Sequence, residues 1–337
     1  MRGFAACYVL VGHICNVYFS NPPWAFPFRF AAEAVVLFFL LSGFVVQYST
    51  REAETPRNYF IKRVPRIYPL FVLSLALSYL LASWGKGSWA EARWMDLIGN
   101  LVMLQDFGFR RPGVWINQYY NEALWSLAYE FWFYLFFFVI LKATNSARRR
   151  SVIVAGVAVT AMFVHYVWPN QIGYFMSAFA IWWAGAELAR KYRNPTDAPF
   201  SMIVWCGFLL LLAAAWLPAL RGMPKDEWAL GLYPILDIRR FSGAAVIIII
   251  GLYWQAMWDR GGKEIFRFTI GPFRIFGPIS YGIYVFHFPI LIFFVQTPLA
   301  ESPLLFVTIV LMTVFVVSYL GEVLLQRLIN QATDPLL

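Results

Sequence analysis

The feature that most constrains this chain is a series of about ten stretches, each close to 20 residues and mostly apolar, divided by short polar connections. They fall at roughly 3–19, 30–49, 66–84, 124–141, 151–168, 172–189, 201–219, 241–258, 275–297 and 303–325. Twenty helical residues rise about 30 Å, the thickness of a bilayer's hydrocarbon core. Of the residues, 61% are hydrophobic and only 13% charged, against about 25% charged in soluble domains, so there is too little polar surface to dissolve a globule of this size. The net charge of +9 does not point to nucleic acid, because the cations sit in short runs between apolar stretches and not on one polar face. The expected fold is all-α: a polytopic transmembrane helical bundle of about ten spans.

Orientation follows from where the cations fall. The N-terminus, the connections 50–66, 142–150, 190–200 and 259–274, and the C-terminal tail share 18 of the 27 Lys and Arg residues. Cytoplasmic connections carry such an excess, which places both termini on the cytoplasmic side. The run Arg148-Arg149-Arg150 reads as part of this signal, with contact to anionic membrane lipid secondary. The stretches around 151–189 are separated only by a tight turn near Pro169-Asn170 and should form a hairpin. Cys7, Cys15 and Cys206 have neither pairing nor metal-ligand spacing and read as packing residues; no metal site is apparent. A phosphate-cradling G-x-x-x-x-G-K-[ST] loop is absent, which argues against an ATP-driven pump.

Ionisable groups inside spans are costly and therefore few. Arg2 and His13 are eleven residues apart, close to three helical turns, so they share one face about 16 Å apart along the axis. That puts an imidazole near mid-membrane beneath a cation; the competing reading is a histidine that only packs. Ser126, Glu130 and Tyr134 line one face of a second helix amid aromatic bulk, and Ser280, Tyr284 and His287 line a third. Pro289 removes a backbone donor and leaves the carbonyl of Val285 without its usual partner, favouring a kink and a local cavity. Arg63 and Arg66 sit among Tyr59, Phe60 and Tyr68, where guanidinium groups can grip phosphates while aromatics take a base ring; positive-inside topology explains the same charges. Glu33 is placed to meet an external substrate, His165 reads as structural, Glu187 and Glu322 as snorkelling, and Ser42-Gly43 as a point of close helix approach.

Taken together, five segments resemble the acyltransferase-3 family of integral membrane acyltransferases. They are the R-x10-H pair Arg2 and His13, the F-F-x-x-S-G-F run from Phe38 to Phe44, and the R-x-x-R pair Arg63 and Arg66. The W-S-L-x-x-E-x-x-F-Y block from Trp125 to Tyr134 and the S-Y-x-x-Y-x-x-H block from Ser280 to His287 follow in the family's order. Many relatives carry an acidic residue just before the F-F pair where this chain has Val36, so a carboxylate role is not expected there. The resemblance implies one integral membrane acyltransferase domain over 1–337, multi-pass in the plasma (bacterial inner) membrane, without the appended extracytoplasmic domain of some relatives. It implies transfer of an acyl group, usually acetyl, from cytoplasmic acyl-CoA to a hydroxyl of an extracytoplasmic or lipid-linked glycan. The family's catalytic histidine falls on His13, and its CoA-associated arginines fall on Arg63 and Arg66.

The layout fits that chemistry. The anionic CoA head is expected at Arg2, Arg63 and Arg66, with acetyl-CoA as the donor and its pantetheine arm beside the first helix. A neutral His13 would take the hydroxyl proton as general base, with Glu130 orienting it. Tyr134, Tyr284 or Ser126 are oxyanion or substrate candidates, alongside His287 and Glu33. An acyl-enzyme on His13 or Ser126 is equally compatible with the sequence. The competing classes are a proton-coupled secondary transporter of an anionic or glycan substrate and a non-catalytic envelope scaffold. Neither oligomeric state nor the acceptor sugar is legible.

Overall fold

In an apolar medium every backbone N–H and C=O must find a partner within the chain, which leaves the helix as the way for an unpaired segment to cross. The computed structural model describes residues 1–108, 111–194, 200–221 and 233–325. The first helix, α1 (Arg2–His13), continues as a π-helical turn, Ile14–Tyr18. There follow α2 (Ala31–Ser49), the short α3 (Pro56–Ile61), α4 (Val64–Lys86) and α5 (Trp94–Leu101). Three long helices come next: α6 (Trp125–Ala143), α7 (Ala147–Val167) and α8 (Gln171–Arg193). The chain closes with α9 (Met202–Ala215), α10 (Ile235–Ala256), α11 (Gly262–Thr269), α12 (Ser280–Val295) and α13 (Pro303–Tyr319).

Helix starts are set by local polar chemistry. Thr55, Ser146, Asn170 and Ser201 each accept a hydrogen bond from a backbone N–H of the first turn that has no intrahelical partner. Asn170 thereby ends the turn of the α7–α8 hairpin expected at Pro169-Asn170, and Nδ1 of His165 lies 2.8 Å from the Asn170 carbonyl oxygen, a structural placement. Seven helical segments among the described residues are long and apolar enough to cross a membrane. The first, sixth and eighth expected spans are not among them. The helix there is short (α1) or carries charge within its length, as α8 does at Glu187 and Arg190 and α10 at Asp237, Arg239 and Arg240. The expected eighth span began at 241, but the helix begins six residues earlier and draws those three charges into the bundle.

Helix α2 runs through the centre, against α8 on one side and α1 on the other, while α12 lies against α1, α4 and α13. The α2–α8 contact is close because a Cβ at Gly43 would overlap the carbonyl oxygen of Trp182, which is the approach expected at Ser42-Gly43. One face of the bundle gathers the basic connections. Arg150 pairs with Glu52 at 2.9 Å, Lys142 donates to the Glu52 carbonyl at 3.0 Å, and Arg190 donates to Gln47 at 3.1 Å. Glu187 does not snorkel: it is fully buried, bonded to Ser151, Trp183 and Arg190, because α8 is walled in along nearly its whole length. Glu322 turns back to accept from the Gly282 N–H at 2.7 Å. All three cysteines are buried and unpaired.

The opposite face is closed by non-helical chain between α5 and α6, and buried charge holds it there. Arg111, fully buried, bridges Asp106 at 3.1 Å and Asp237 of α10 at 2.7 Å, and Tyr129 of α6 donates to Asp106 at 2.6 Å. Removing one member of such a group strands the others, so Arg111→Met is expected to cost about 3–5 kcal/mol. The check is thermal unfolding of the detergent-solubilised protein; a melting temperature unchanged from wild type would show that the bridge does not hold the segment.

Candidate functional site: a histidine pair between two cavities

Two of the sequence-selected histidines meet. Nδ1 of His13, at the last residue of α1, lies 3.0 Å from Nε2 of His287 in α12, with the rings tilted and 5.0 Å apart. His13 is half-buried and His287 is fully buried. Nδ1 of His287 faces the carbonyl oxygens of Tyr284 at 2.8 Å and Ile283 at 3.0 Å. Carbonyls only accept, so His287 carries its proton on Nδ1 and, when neutral, offers a lone pair at Nε2. His13 must then donate from Nδ1, which puts the lone pair of its own neutral ring on Nε2. The backbone of α12 thus assigns the tautomers of both rings through their hydrogen bonds.

Pro289 lies inside α12, which runs unbroken from Ser280 to Val295. The Val285 carbonyl that the proline orphans accepts from Nδ2 of Asn121 at 2.8 Å, and Asn121 is buried at the start of the α6 approach. Its Oδ1 accepts from the Ala123 N–H at 3.2 Å. Asn121 was not picked out from sequence; its position four residues before the W-S-L block was the available signal.

A cavity of about 570 Å³ opens from His13 toward the face away from the basic connections, walled by Asn16, Phe28, Arg29, Trp125, Arg239 and Arg240 among others. A second, narrower cavity is lined by Arg2, Arg66, Ser42, Ser126, Glu130 and Tyr134, with Ser280 and Tyr281 beside them. Tyr284 lines both. Its hydroxyl donates to the Ala123 carbonyl at 2.6 Å and so accepts from Ser126 Oγ, also at 2.6 Å. Tyr284 and Ser126 therefore form a hydrogen-bonded wall between the two spaces.

The remaining candidates separate. Glu130 lines the Arg2/Arg66 cavity, where its Oε1 accepts from Tyr134 at 2.5 Å and Ser42 at 2.8 Å. The group hydrogen-bonded to His13 Nδ1 is His287, where the sequence reading had looked for Glu130. Arg63 does not line that cavity: its guanidinium stacks on Tyr59 at 3.8 Å and donates to the Tyr59 carbonyl and to Thr50 Oγ1, at 2.8 and 2.7 Å. Arg63 and Arg66 are three residues apart across the α3–α4 junction, and that break in the helix sends one inward and leaves the other exposed. Glu33 is held in a two-pronged pair by Arg239, at 2.7 and 3.0 Å. Arg239 and Arg240 were missed because the sequence reading began their helix one residue after them.

The acyltransferase-3 family, whose description is an acyltransferase domain, matches residues 1–323. Among curated proteins, the chain is 23% identical over 313 residues to Nodulation protein 10 of Rhizobium leguminosarum bv. viciae, covering 85% of this chain and 80% of that protein. It is 23% identical to the peptidoglycan O-acetyltransferase OatA of Listeria monocytogenes serovar 1/2a, over 89% of this chain but only half of that protein's length. An O-acetyl transferase of Shigella phage Sf6 is 28% identical over 140 residues, 40% of this chain and 42% of the phage protein. No solved structure matches the chain. With a family match running from the first residue through α13, and with apolar helices long enough to span a bilayer, this membrane protein belongs to the acyltransferase-3 family.

Proposed function

We propose that the protein transfers an acyl group, acetyl in the first instance, from acyl-CoA to a hydroxyl of a glycan, with His13 as the general base. The observation that carries this reading is the hydrogen-bonded His13–His287 pair beside Tyr284, where a basic cavity and a wide second cavity share a wall. The relatives named as O-acetyltransferases, one of them acting on peptidoglycan, support acetyl as the group and a glycan as the acceptor. In this reading the chain spans the plasma membrane about ten times, both termini are cytoplasmic, and the Arg2/Arg66 cavity faces the cytoplasm.

The steps follow from the chain's own groups. Arg2 and Arg66 hold the CoA phosphates at the mouth of the basic cavity, and Arg63 positions Arg66 by fixing the α3–α4 junction. Glu130 and Tyr134 present polar atoms to the amides of the pantetheine arm. The thioester carbonyl reaches the Tyr284 wall, and the acceptor hydroxyl enters from the wide cavity. His13 Nε2 takes the hydroxyl proton as the oxygen adds to the thioester carbon. The C–S bond then breaks, the thiolate leaves, and the imidazolium returns the proton to sulfur. Throughout, His287 accepts from His13 Nδ1, holding the ring in the tautomer that leaves Nε2 basic, as a carboxylate does in a hydrolase triad. For the two substrates to meet, the Tyr284–Ser126 bond opens, and the hydroxyl that turns from its resting acceptor, Tyr284 from the Ala123 carbonyl or Ser126 from Tyr284, donates to the developing oxyanion.

The test is release of free CoA thiol and acetyl transfer by detergent-solubilised protein with acetyl-CoA and envelope glycans. His13→Ala is expected to lower kcat by at least about 10³-fold at unchanged melting temperature, and His287→Ala by about 10²-fold with the donor KM within about twofold. Turnover that survives loss of His13 would end the general-base assignment. Replacing Arg2 and Arg66 together by Gln is expected to raise the KM for acetyl-CoA at least tenfold and to move kcat little; a pure kcat loss would remove the donor from that cavity.

A further inference from the structure

The wide cavity carries three guanidinium groups on its wall, those of Arg29, Arg239 and Arg240, and among the described residues no carboxylate lines it. The three are not equivalent. Arg29 is exposed and donates to the Asn21 carbonyl at 2.6 Å. Arg239 is occupied by Glu33. Arg240 is 2% exposed, and its guanidinium lies 4.0 Å over the indole of Trp125. Its nearest acid, Asp237, is 3.8 Å from Nη1, beyond hydrogen-bond range, and that same Asp237 oxygen lies 2.7 Å from Arg111. Nε and Nη2 of Arg240 have no hydrogen-bond partner.

A buried donor without an acceptor is costly, and the planar arginine fork is shaped to fill two such vacancies with one oxyanion. The surrounding chemistry narrows what brings that oxyanion. Phe28 lines the cavity with an apolar ring, Trp125 backs the Arg240 guanidinium, and Asn16 and Asn21, joined by a 2.6 Å hydrogen bond, bring further amide atoms, a combination suited to a sugar ring with its hydroxyls. We propose that the ligand of this cavity is a saccharide bearing an oxyanion, a carboxylate or a phosphate, and that Arg240 is the residue that selects it. The anion docks against Arg240 above Trp125, which turns a neighbouring hydroxyl of the same saccharide toward His13. That this saccharide is the acyl acceptor rests on the reading under Proposed function; the preference for an anion does not.

The experiment needs no donor. Binding of methyl β-glucuronide, glucose 1-phosphate and methyl β-glucoside to the full-length protein in detergent is measured by titration calorimetry at low and high salt. At least one anionic sugar is expected to bind tenfold or more tighter than the neutral glucoside, and the choice between glucuronide and sugar phosphate identifies which oxyanion the fork fits. Arg240→Gln is expected to reduce the favoured anion to the affinity of the glucoside while acetyl-CoA still binds. Arg240→Lys keeps the charge within the buried cluster, should fold where Gln does not, and is expected to lose most of the preference because it lacks the fork. Equal binding of all three sugars overturns the proposal, as does a preference unchanged in both Arg240 variants or one abolished by Arg29→Gln alone. Anion-selective binding without any acetyl transfer would leave the proposal standing and sink the enzymatic reading. Acetylation of neutral and anionic sugars alike would do the reverse.

Discussion

Arg111 is fully buried between two aspartates in a medium where an unpaired charge has no remedy, and much of the architecture follows from satisfying it. Its bridge ties the chain between α5 and α6 to Tyr129 of α6 and Asp237 of α10, so an irregular backbone segment can lie inside the bundle without exposing polar groups to lipid. The end of that segment delivers Asn121 to the carbonyl freed by Pro289. The carbonyl then has a partner, and α12 presents those of Ile283 and Tyr284 to His287. Asp237, drawn to Arg111 at 2.7 Å, stands 3.8 Å from Arg240 on the same helix. One ion bridge therefore reaches both the histidine pair and the wall opposite it.

The histidine pair is economical chemistry for a low-dielectric site. A carboxylate beside His13 would bring a full charge into the bundle, whereas His287 orients the His13 ring through a hydrogen bond anchored on backbone carbonyls. Arginines line the two cavities instead, Arg2 and Arg66 in one and Arg29, Arg239 and Arg240 in the other. The Tyr284–Ser126 bond stands between them.

Helices 2, 4, 6, 7 and 13 were legible in the sequence because a long apolar run has one stable form in lipid. His13, His287 and the Ser42-Gly43 approach were legible as well, since a polar or very small residue in such a run is conspicuous. The start of α10 was not. Asp237, Arg239 and Arg240 look like the end of a loop, and only partners on α2 and on the segment after α5 make room for them inside a helix. Glu187 was misjudged for the same reason: proximity to a helix end predicts snorkelling only when that end is near lipid, and α8 is enclosed.

The sequence by itself determined that this chain is a helical membrane bundle, which residues are polar within it, and which family it joins. These are properties of runs, spacings and composition, and they survive without coordinates. Tertiary structure decided the pairings: His287 and not Glu130 at His13, Arg66 and not Arg63 at the cavity, Arg239 on Glu33. Each pairing joins helices far apart in sequence, and hydrogen bonds with a range of about 3 Å depend on helix rotation and kink, which a one-dimensional pattern does not encode.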